Sequence, residues 1–325
     1  MSEAHGKKSH DRPRTLRGRA RQRILSGTAA LPSLVTLGNG LAGFASIHFS
    51  TRPMVQALQG QPEPTAQNLV IAGWLILAGM LCDALDGQLA RLTRRASDFG
   101  AQLDSLCDAI TFGVAPAFLM MRAVQGDLAP YVGAMGVTPQ AELIGRAIWF
   151  IGALYMACAI LRLARFNVET KPDVLSHMNF WGLPSPGAAL AVASLVLVHE
   201  HLKTTYSGWQ HSHWLFQTVI WAMPLVTLAA AVLMVTRIRY PHLVNRRLRG
   251  RRSFGYIVRL LVVVLAAVVL HIQIALAAAA LAYLAWPPIA ELGRMLRGKA
   301  GPPKTQGGGW RPEAGGAAPE EGKSL

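Results

Sequence analysis

The chain has 325 residues, of which 52% are hydrophobic and only 15% are charged, and its mean hydropathy is +0.31. This composition excludes an ordinary soluble domain and indicates a protein that crosses a membrane several times. The formal charge is +15, but the basic residues flank hydrophobic segments without interleaved aromatic residues, so the expected partner is anionic lipid and not nucleic acid.

The first 27 residues are predicted to form a basic tail with a juxtamembrane helix. Residues 1–25 carry eight Lys and Arg against two acidic residues, which predicts an interfacial helix over Arg12–Leu25 on the cytoplasmic face. A transit peptide is the alternative. It is disfavoured because the next segment continues into a membrane pattern without a small-residue cleavage site.

Hydropathy and length predict an all-α fold, a polytopic membrane bundle of about eight transmembrane helices within a domain at 28–292. The spans are expected at roughly 30–50, 68–92, 98–120, 144–166, 180–199, 214–236, 254–270 and 273–291. The basic run at 237–252 is interpreted as a cytoplasmic anchor, and a role in substrate binding stays open. Residues 293–325 are rich in Gly, Pro, Glu and Lys, which predicts a disordered tail.

The three cysteines indicate neither a disulfide framework nor a zinc site. Cys82, Cys107 and Cys158 all lie in apolar segments, and none has a partner at C-x-x-C spacing. We interpret them as packing residues.

The basic residues divide unequally between the two sides of the predicted bundle. If alternate loops lie on opposite sides, 27 of the 32 Lys and Arg fall on the side of the N-terminus and four on the other. The positive-inside rule then places both termini, and the loop between the second and third spans, in the cytoplasm. The expected location of the chain is a cell membrane.

Four aspartates lie inside the second and third predicted spans. An isolated aspartate in mid-membrane costs ~2.5–3.5 kcal/mol, so the four would cost roughly 10 kcal/mol together unless something offsets that cost. One helical face of the second span carries Asp83, Asp86, Gly87, Ala90 and Arg91, and one face of the third carries Ser97, Gly100, Asp104 and Asp108.

A short basic link makes these two helices antiparallel neighbours, so the two acidic faces can meet. Carboxylates that converge in a low dielectric repel each other strongly unless cations lie between them. Oxygen ligands without Cys or His favour hard divalent cations such as Mg²⁺ or Mn²⁺. The sequence therefore predicts a divalent metal site at the cytoplasmic end of the bundle.

The acidic residues follow the pattern D-x-x-D-G-x-x-A-R-x8-G-x3-D-x3-D, which runs from Asp83 to Asp108. This pattern resembles the signature of the CDP-alcohol phosphatidyltransferase family. The resemblance implies a membrane enzyme that binds a CDP-linked lipid and two divalent cations at the cytoplasmic boundary and replaces CMP with an alcohol. Displacement at phosphorus is the kind of reaction that such cations assist.

The resemblance also assigns roles to single residues. It implies four carboxylate ligands for the metal, which are Asp83, Asp86, Asp104 and Asp108. Asp108 would in addition be the general base for the attacking hydroxyl. Gly87 would let the substrate approach the helix backbone, and Arg91 would bind a phosphate oxygen. Ser97 matches a position that contacts the nucleotide, and a helix N-cap is its alternative role.

Three further stretches resemble the bacterial membrane-embedded phosphatidylserine synthases of this family. They are SDFGAQLDSLCDAITFGVAP, LRLARFNVET and FWGLPSPGAA, and the resemblance covers about residues 30–190. It implies CDP-diacylglycerol as the donor, L-serine as the acceptor, and a homodimer. Arg162, Arg165 and Asn167 would hold the serine carboxylate and the lipid phosphate, or would serve only as positive-inside anchors.

Two alternatives stay open at this point. Another acceptor within the same family, namely choline, glycerol 3-phosphate or inositol phosphate, would use the same acidic site. A cation transporter would also place aspartates in the membrane. These acids cluster at one boundary, however, and a pore does not need glycine and arginine at fixed spacing beside them.

Overall fold

The structure is a computed structural model that describes residues 16–58, 65–93, 98–134, 138–169, 182–206, 212–236, 238, 240 and 271–296. Seven helical rods make up almost all of this described part. Six of them are α1 (Leu16–Leu58), α2 (Thr65–Thr93), α5 (Pro139–Glu169), α6 (Ser185–Tyr206), α7 (Ser212–Val235) and α8 (Ile272–Leu296). The third rod consists of α3 (Asp98–Asp108), a π-helical segment (Ala109–Val114) and α4 (Ala115–Ala134).

Five of the rods contain stretches long and apolar enough to cross a membrane. These are Gln67–Leu89, Phe99–Leu128, Glu142–Val168, Trp214–Val235 and Ile272–Gly293. Large apolar side chains such as Leu81, Trp149 and Trp286 point outward and are more than half exposed. Helices that are apolar on their outer faces as well as towards the core belong in lipid. The chain is therefore a multi-pass helical membrane protein.

The prediction of an all-α membrane bundle is confirmed, but the count of eight spans stays a prediction. The span expected at 254–270 lies outside the described residues. The spans expected at 30–50 and 180–199 correspond to α1 and α6, which are helical but are not among the five apolar stretches.

The structure describes only part of the segments expected at the two ends of the chain. Helix α1 runs without a break from Leu16 to Leu58, so the predicted juxtamembrane helix at 12–25 and the first span form one rod from Leu16 onward. Helix α8 continues to Leu296, four residues into the segment predicted to be a tail. Residues 1–15 and 297–325 lie outside the described part.

Helix α6 occupies the centre of the bundle. It packs against α2, α4, α7 and α8, and Ala188, Val192 and Val196 on this helix are almost inaccessible to solvent. Small side chains of this kind allow membrane helices to approach closely. The core extends to the π-helical segment, where the Tyr155 hydroxyl donates a hydrogen bond to the carbonyl of Phe112 at 3.1 Å.

Two glycines bring the backbone of α1 against α3 and the π-helical segment. A Cβ atom at Gly40 would lie 2.9 Å from Cys107 Sγ, and one at Gly43 would lie 2.5 Å from Thr111 Oγ1. Because real Cβ atoms do not approach other atoms so closely, only glycine fits at either position. This close contact places α1 beside Asp108, at the end of α3.

A second polar cluster joins α4 to α6 at a distance from the acidic residues. Asp127 is paired with His199 and accepts a hydrogen bond from Lys203 Nζ at 2.6 Å. Glu200 is 1% exposed, and one of its oxygens lies 3.9 Å from Lys203 Nζ. Asp127 lies 19 residues after Asp108 in the same rod, roughly 28 Å along it. Such pairing offsets the cost of burying charge and ties the two helices together.

Candidate active site

The predicted acidic residues lie in the second half of α2 and throughout α3. Asp83 and Asp86 are on α2, whereas Asp104 and Asp108 are on α3. Asp86 and Asp108 are buried, and Asp83 and Asp104 are half-buried. Residues three or four apart on a helix share one face, so the two aspartates of each pair project in similar directions. Helix α1 packs against both α2 and α3.

Three of the four carboxylates converge. One oxygen each from Asp83, Asp104 and Asp108 lies within 4.8 Å of the others. Asp86 is not part of this group, although its Oδ2 atom is buried without a hydrogen-bond partner. The Oδ1 atom of Asp104 is likewise buried and without a partner. A buried acceptor without a partner is costly, and these oxygens have the ligand chemistry that a divalent cation requires.

The charge balance of the cluster agrees with a cation site. Three carboxylates this close in a membrane interior repel each other if all are charged. A divalent cation bound between them would relieve that repulsion and occupy the oxygens that lack hydrogen-bond partners. The donor set therefore fits Mg²⁺ or Mn²⁺.

Helix α1 contributes two residues that the sequence analysis missed. Asn39 Nδ2 donates a hydrogen bond to Asp108 Oδ1 at 2.8 Å. The Thr36 hydroxyl lies beside Asp86 and donates to the carbonyl of Pro32 at 2.9 Å. Both residues are buried on α1. The available signal was a buried-polar pattern, since Thr36 and Asn39 are polar residues three apart in an otherwise apolar span.

Gly87 faces open space. A Cβ atom at this position would meet nothing within 4 Å, unlike the tightly packed Gly40 and Gly43. Helix packing therefore does not explain this glycine. Its exposed backbone lies one residue after Asp86, where a ligand of the acidic cluster could approach closely.

Arg91 and Ser97, two other residues predicted to bind substrate, lie partly or wholly outside the described part of the structure. Arg91 lies within α2, but its side chain is outside the described part of the structure. Ser97 precedes the first residue of α3 and also lies outside it. Their predicted contacts with phosphate and nucleotide remain predictions.

The remaining residues predicted to bind substrate lie near the end of α5, and their surroundings in the structure differ. Arg162 donates a hydrogen bond to Ser185 Oγ at 2.9 Å, and its charge acts on Asp108. Its Nε atom is buried without a hydrogen-bond partner. Asn167 is paired through its carboxamide with Ser105, which follows Asp104 on α3, at 2.8 Å. Arg165 is exposed. Arg162 and Asn167 thus contact residues beside the acidic cluster.

Comparison with known proteins identifies relatives of the chain. The sequence model of the CDP-alcohol phosphatidyltransferase family matches residues 29–222. The CDP-diacylglycerol–serine O-phosphatidyltransferase of Helicobacter pylori is 31% identical over 211 residues, 65% of this chain and 71% of the relative. The protein of the same name from Mycobacterium tuberculosis is 32% identical over 209 residues, 62% of each chain. Archaetidylserine synthase of Methanothermobacter thermautotrophicus is 31% identical over 214 residues, 65% of this chain and 70% of the relative.

Proposed function

Because the chain belongs to the CDP-alcohol phosphatidyltransferase family, we propose that it transfers a phosphatidyl group from CDP-diacylglycerol to the hydroxyl of L-serine and releases CMP. The observation that carries this proposal is the convergence of Asp83, Asp104 and Asp108 within a membrane bundle. Serine as the acceptor is supported by the names of the relatives, two serine transferases and an archaetidylserine synthase.

In the proposed reaction, the serine hydroxyl oxygen forms a bond to the lipid-side phosphorus. The bond from this phosphorus to the CMP oxygen breaks, and Asp108 takes the hydroxyl proton. No covalent enzyme intermediate is required. Asp108 suits this role because it belongs to the convergent group and is also held by Asn39 from α1.

Two groups of residues would bind the substrates in this scheme. The open face of Gly87 leaves room for the nucleotide or its phosphates to approach α2, with Arg91 and Ser97 as further proposed contacts. On α5, Arg162 has a buried Nε donor without a hydrogen-bond partner, and its charge interacts with that of Asp108. A guanidinium so placed can bind the serine carboxylate or the lipid phosphate.

We propose that Asp83, Asp86, Asp104 and Asp108 hold two divalent cations, Mg²⁺ or Mn²⁺. When bound, such ions neutralise the diphosphate and stabilise the attacking and leaving oxygens. The carboxylates would hold the positive charge of the cations in place. The surrounding apolar helices exclude bulk water, which strengthens the electrostatic interactions within the site.

The acceptor is tested directly with the purified full-length protein. With CDP-diacylglycerol and Mg²⁺ or Mn²⁺, we expect labelled phosphatidylserine from L-serine, and CMP in equal amount. Choline, glycerol 3-phosphate and inositol phosphate are offered separately under the same conditions. Faster transfer to one of these three would replace serine as the acceptor and leave the family assignment intact. No transfer to any of the four would contradict the proposed function as a whole.

We further propose that the site faces the cytoplasm across a bacterial inner membrane, on the basis of the unequal distribution of basic residues. The two ends of α5 test this orientation. Glu142, near its start, and Val168, near its end, are both exposed, and the 31-residue helix is long enough, at roughly 46 Å, to reach both membrane surfaces.

Single cysteines are introduced at these positions in a variant whose three native cysteines are replaced by alanine. In intact cells, we expect a membrane-impermeant maleimide to label the Glu142→Cys variant and to label the Val168→Cys variant only after permeabilisation. The opposite labelling pattern would place the site outside the cell.

The expected homodimer also remains a proposal, for which the mass of the detergent-solubilised particle is the deciding measurement.

A further inference from the structure

Asn39 on α1 makes two contacts with the rod that carries Asp108. Its Nδ2 atom donates to Asp108 Oδ1 at 2.8 Å, and its backbone carbonyl accepts a hydrogen bond from the Thr111 hydroxyl at 2.8 Å. Asp108 is the last residue of α3, and Thr111 lies in the π-helical segment that follows. The two contacts therefore bracket the point at which the helix changes its hydrogen-bond pattern, a feature often found at functional sites.

The carboxamide of Asn39 is held in one orientation. Asn39 and Thr111 are fully buried. A Cβ atom at Gly79 on α2 would lie 2.9 Å from Asn39 Oδ1 and 2.5 Å from Thr111 Cγ2. The absence of a side chain at Gly79 thus makes room for the carboxamide. Because a carboxylate oxygen only accepts hydrogen bonds, the amide nitrogen must be the atom that faces Asp108.

Asn39 is poorly suited to a purely structural role. Its Oδ1 atom is buried without a hydrogen-bond partner, which lowers the stability of the folded protein. A leucine of similar shape would fill the same space without leaving a buried acceptor unpaired. The feature that a leucine could not supply is the donor to Asp108. The hydrogen bond that Asn39 donates to the Asp108 carboxylate therefore explains why an asparagine with an unpaired oxygen is present here.

We propose that Asn39 is a positioning residue, which orients the Asp108 carboxylate within the acidic cluster for cation binding and for removal of the acceptor proton. The part that concerns proton removal rests on the proposed function. With Oδ1 fixed by Asn39, the direction of the other carboxylate oxygen is also fixed. Residues that orient a metal ligand in this way typically contribute 10–100-fold to metal affinity or activity.

The test combines Asn39→Leu with Asp108→Asn in the full-length protein. Titration of the substrate-free protein with Mn²⁺ should show affinity lowered by roughly 10-fold in Asn39→Leu. At saturating Mn²⁺, kcat should fall by roughly 10-fold, while KM for CDP-diacylglycerol stays within about threefold. In the Asp108→Asn background, Asn39→Leu should cause no further loss of either quantity, because its effect passes through Asp108.

Ser46→Ala is the matched control. Ser46 is also fully buried on α1, and its hydroxyl donates to the carbonyl of Ala72 on α2 at 2.9 Å. This substitution removes an interhelical hydrogen bond away from the acidic cluster, so Mn²⁺ affinity and kcat should stay within about twofold. If Asn39→Leu does not fold, Asn39→Ala replaces it, since that substitution only removes atoms.

The outcomes separate this proposal from the proposed function. Unchanged Mn²⁺ affinity and kcat in the Asn39→Leu variant would overturn the positioning role. The role would also be overturned if Asn39→Leu lowered Mn²⁺ affinity and kcat by the same factor in the Asp108→Asn background as in the unmodified protein. The Mn²⁺ titration requires no acceptor. It therefore decides the role of Asn39 in cation binding even if the protein transfers lipid to none of the four alcohols.

Discussion

Asp104→Asn is expected to abolish nearly all transfer activity, with a fall in kcat/KM of roughly 10³-fold or more, since metal-assisted charge stabilisation is worth several kcal/mol. Asp104 belongs to the convergent group, and its Oδ1 atom is buried without a hydrogen-bond partner. The amide keeps the shape of the carboxylate but loses its charge. Folding should be unaffected or slightly improved, because one of three mutually repelling carboxylates is removed.

Labelled serine incorporation, Mn²⁺ titration and the melting temperature are measured on the same preparation. Glu142→Gln is the control, since Glu142 is an exposed acid that pairs only with Arg146 in the next turn of α5, and its activity should stay within about twofold. EDTA should reproduce the loss in the unmodified protein, and Mg²⁺ or Mn²⁺ should restore activity. Full turnover in the presence of EDTA would show that the metal hypothesis is wrong.

The sequence could indicate the convergence of Asp83, Asp104 and Asp108 because the information that it requires is local. Asp83 and Asp86 are three apart, Asp104 and Asp108 are four apart, and a short link joins the two helices. Helical periodicity then determines which residues share a face, and α1, which packs against both α2 and α3, holds the two helices in place. The composition of the chain indicated the helical membrane bundle for a similar reason, since long apolar stretches have few other stable structures.

Contacts between distant parts of the chain could not be predicted in this way. Asn39 and Asp108 are 69 residues apart, and Asp127 and His199 are 72 residues apart. Neither pair has a spacing that reveals it, because each depends on how separate helices pack. Asp86 is not among the three aspartates whose oxygens converge. This distinction depends on side-chain directions, which a helical wheel does not resolve.

For the residues at the end of α5, the sequence indicated their common location but not their contacts. The sequence placed Arg162, Arg165 and Asn167 together at one membrane boundary but left open whether they bind substrate or act as anchors. In the structure, Arg162 reaches Ser185 and Asn167 reaches Ser105, whereas Arg165 is exposed. The partner that each side chain meets depends on how α5 packs against α3 and α6, which helical periodicity alone does not determine.

Asp108→Asn is expected to separate proton transfer from substrate binding. If Asp108 takes the serine proton, kcat should fall by roughly 10²–10⁴-fold, the usual contribution of general acid–base catalysis. The fold should persist because an asparagine oxygen can still accept the hydrogen bond from Asn39. At saturating Mn²⁺, the affinity for CDP-diacylglycerol should change only a few-fold, since the cation, Gly87 and Arg91 hold the nucleotide lipid in the proposed scheme.

Calorimetric titration of the lipid into the Asp108→Asn and Asp83→Asn variants decides between a base and a ligand. Asp83→Asn should weaken lipid binding strongly, because Asp83 is proposed to act only through the metal that neutralises the diphosphate. Asp108→Asn should retain binding while losing turnover. If both variants lose lipid binding to the same extent, Asp108 acts chiefly as a metal ligand. The proton acceptor must then be another group, because weakened binding of the nucleotide lipid, and not loss of proton removal, accounts for the loss of activity.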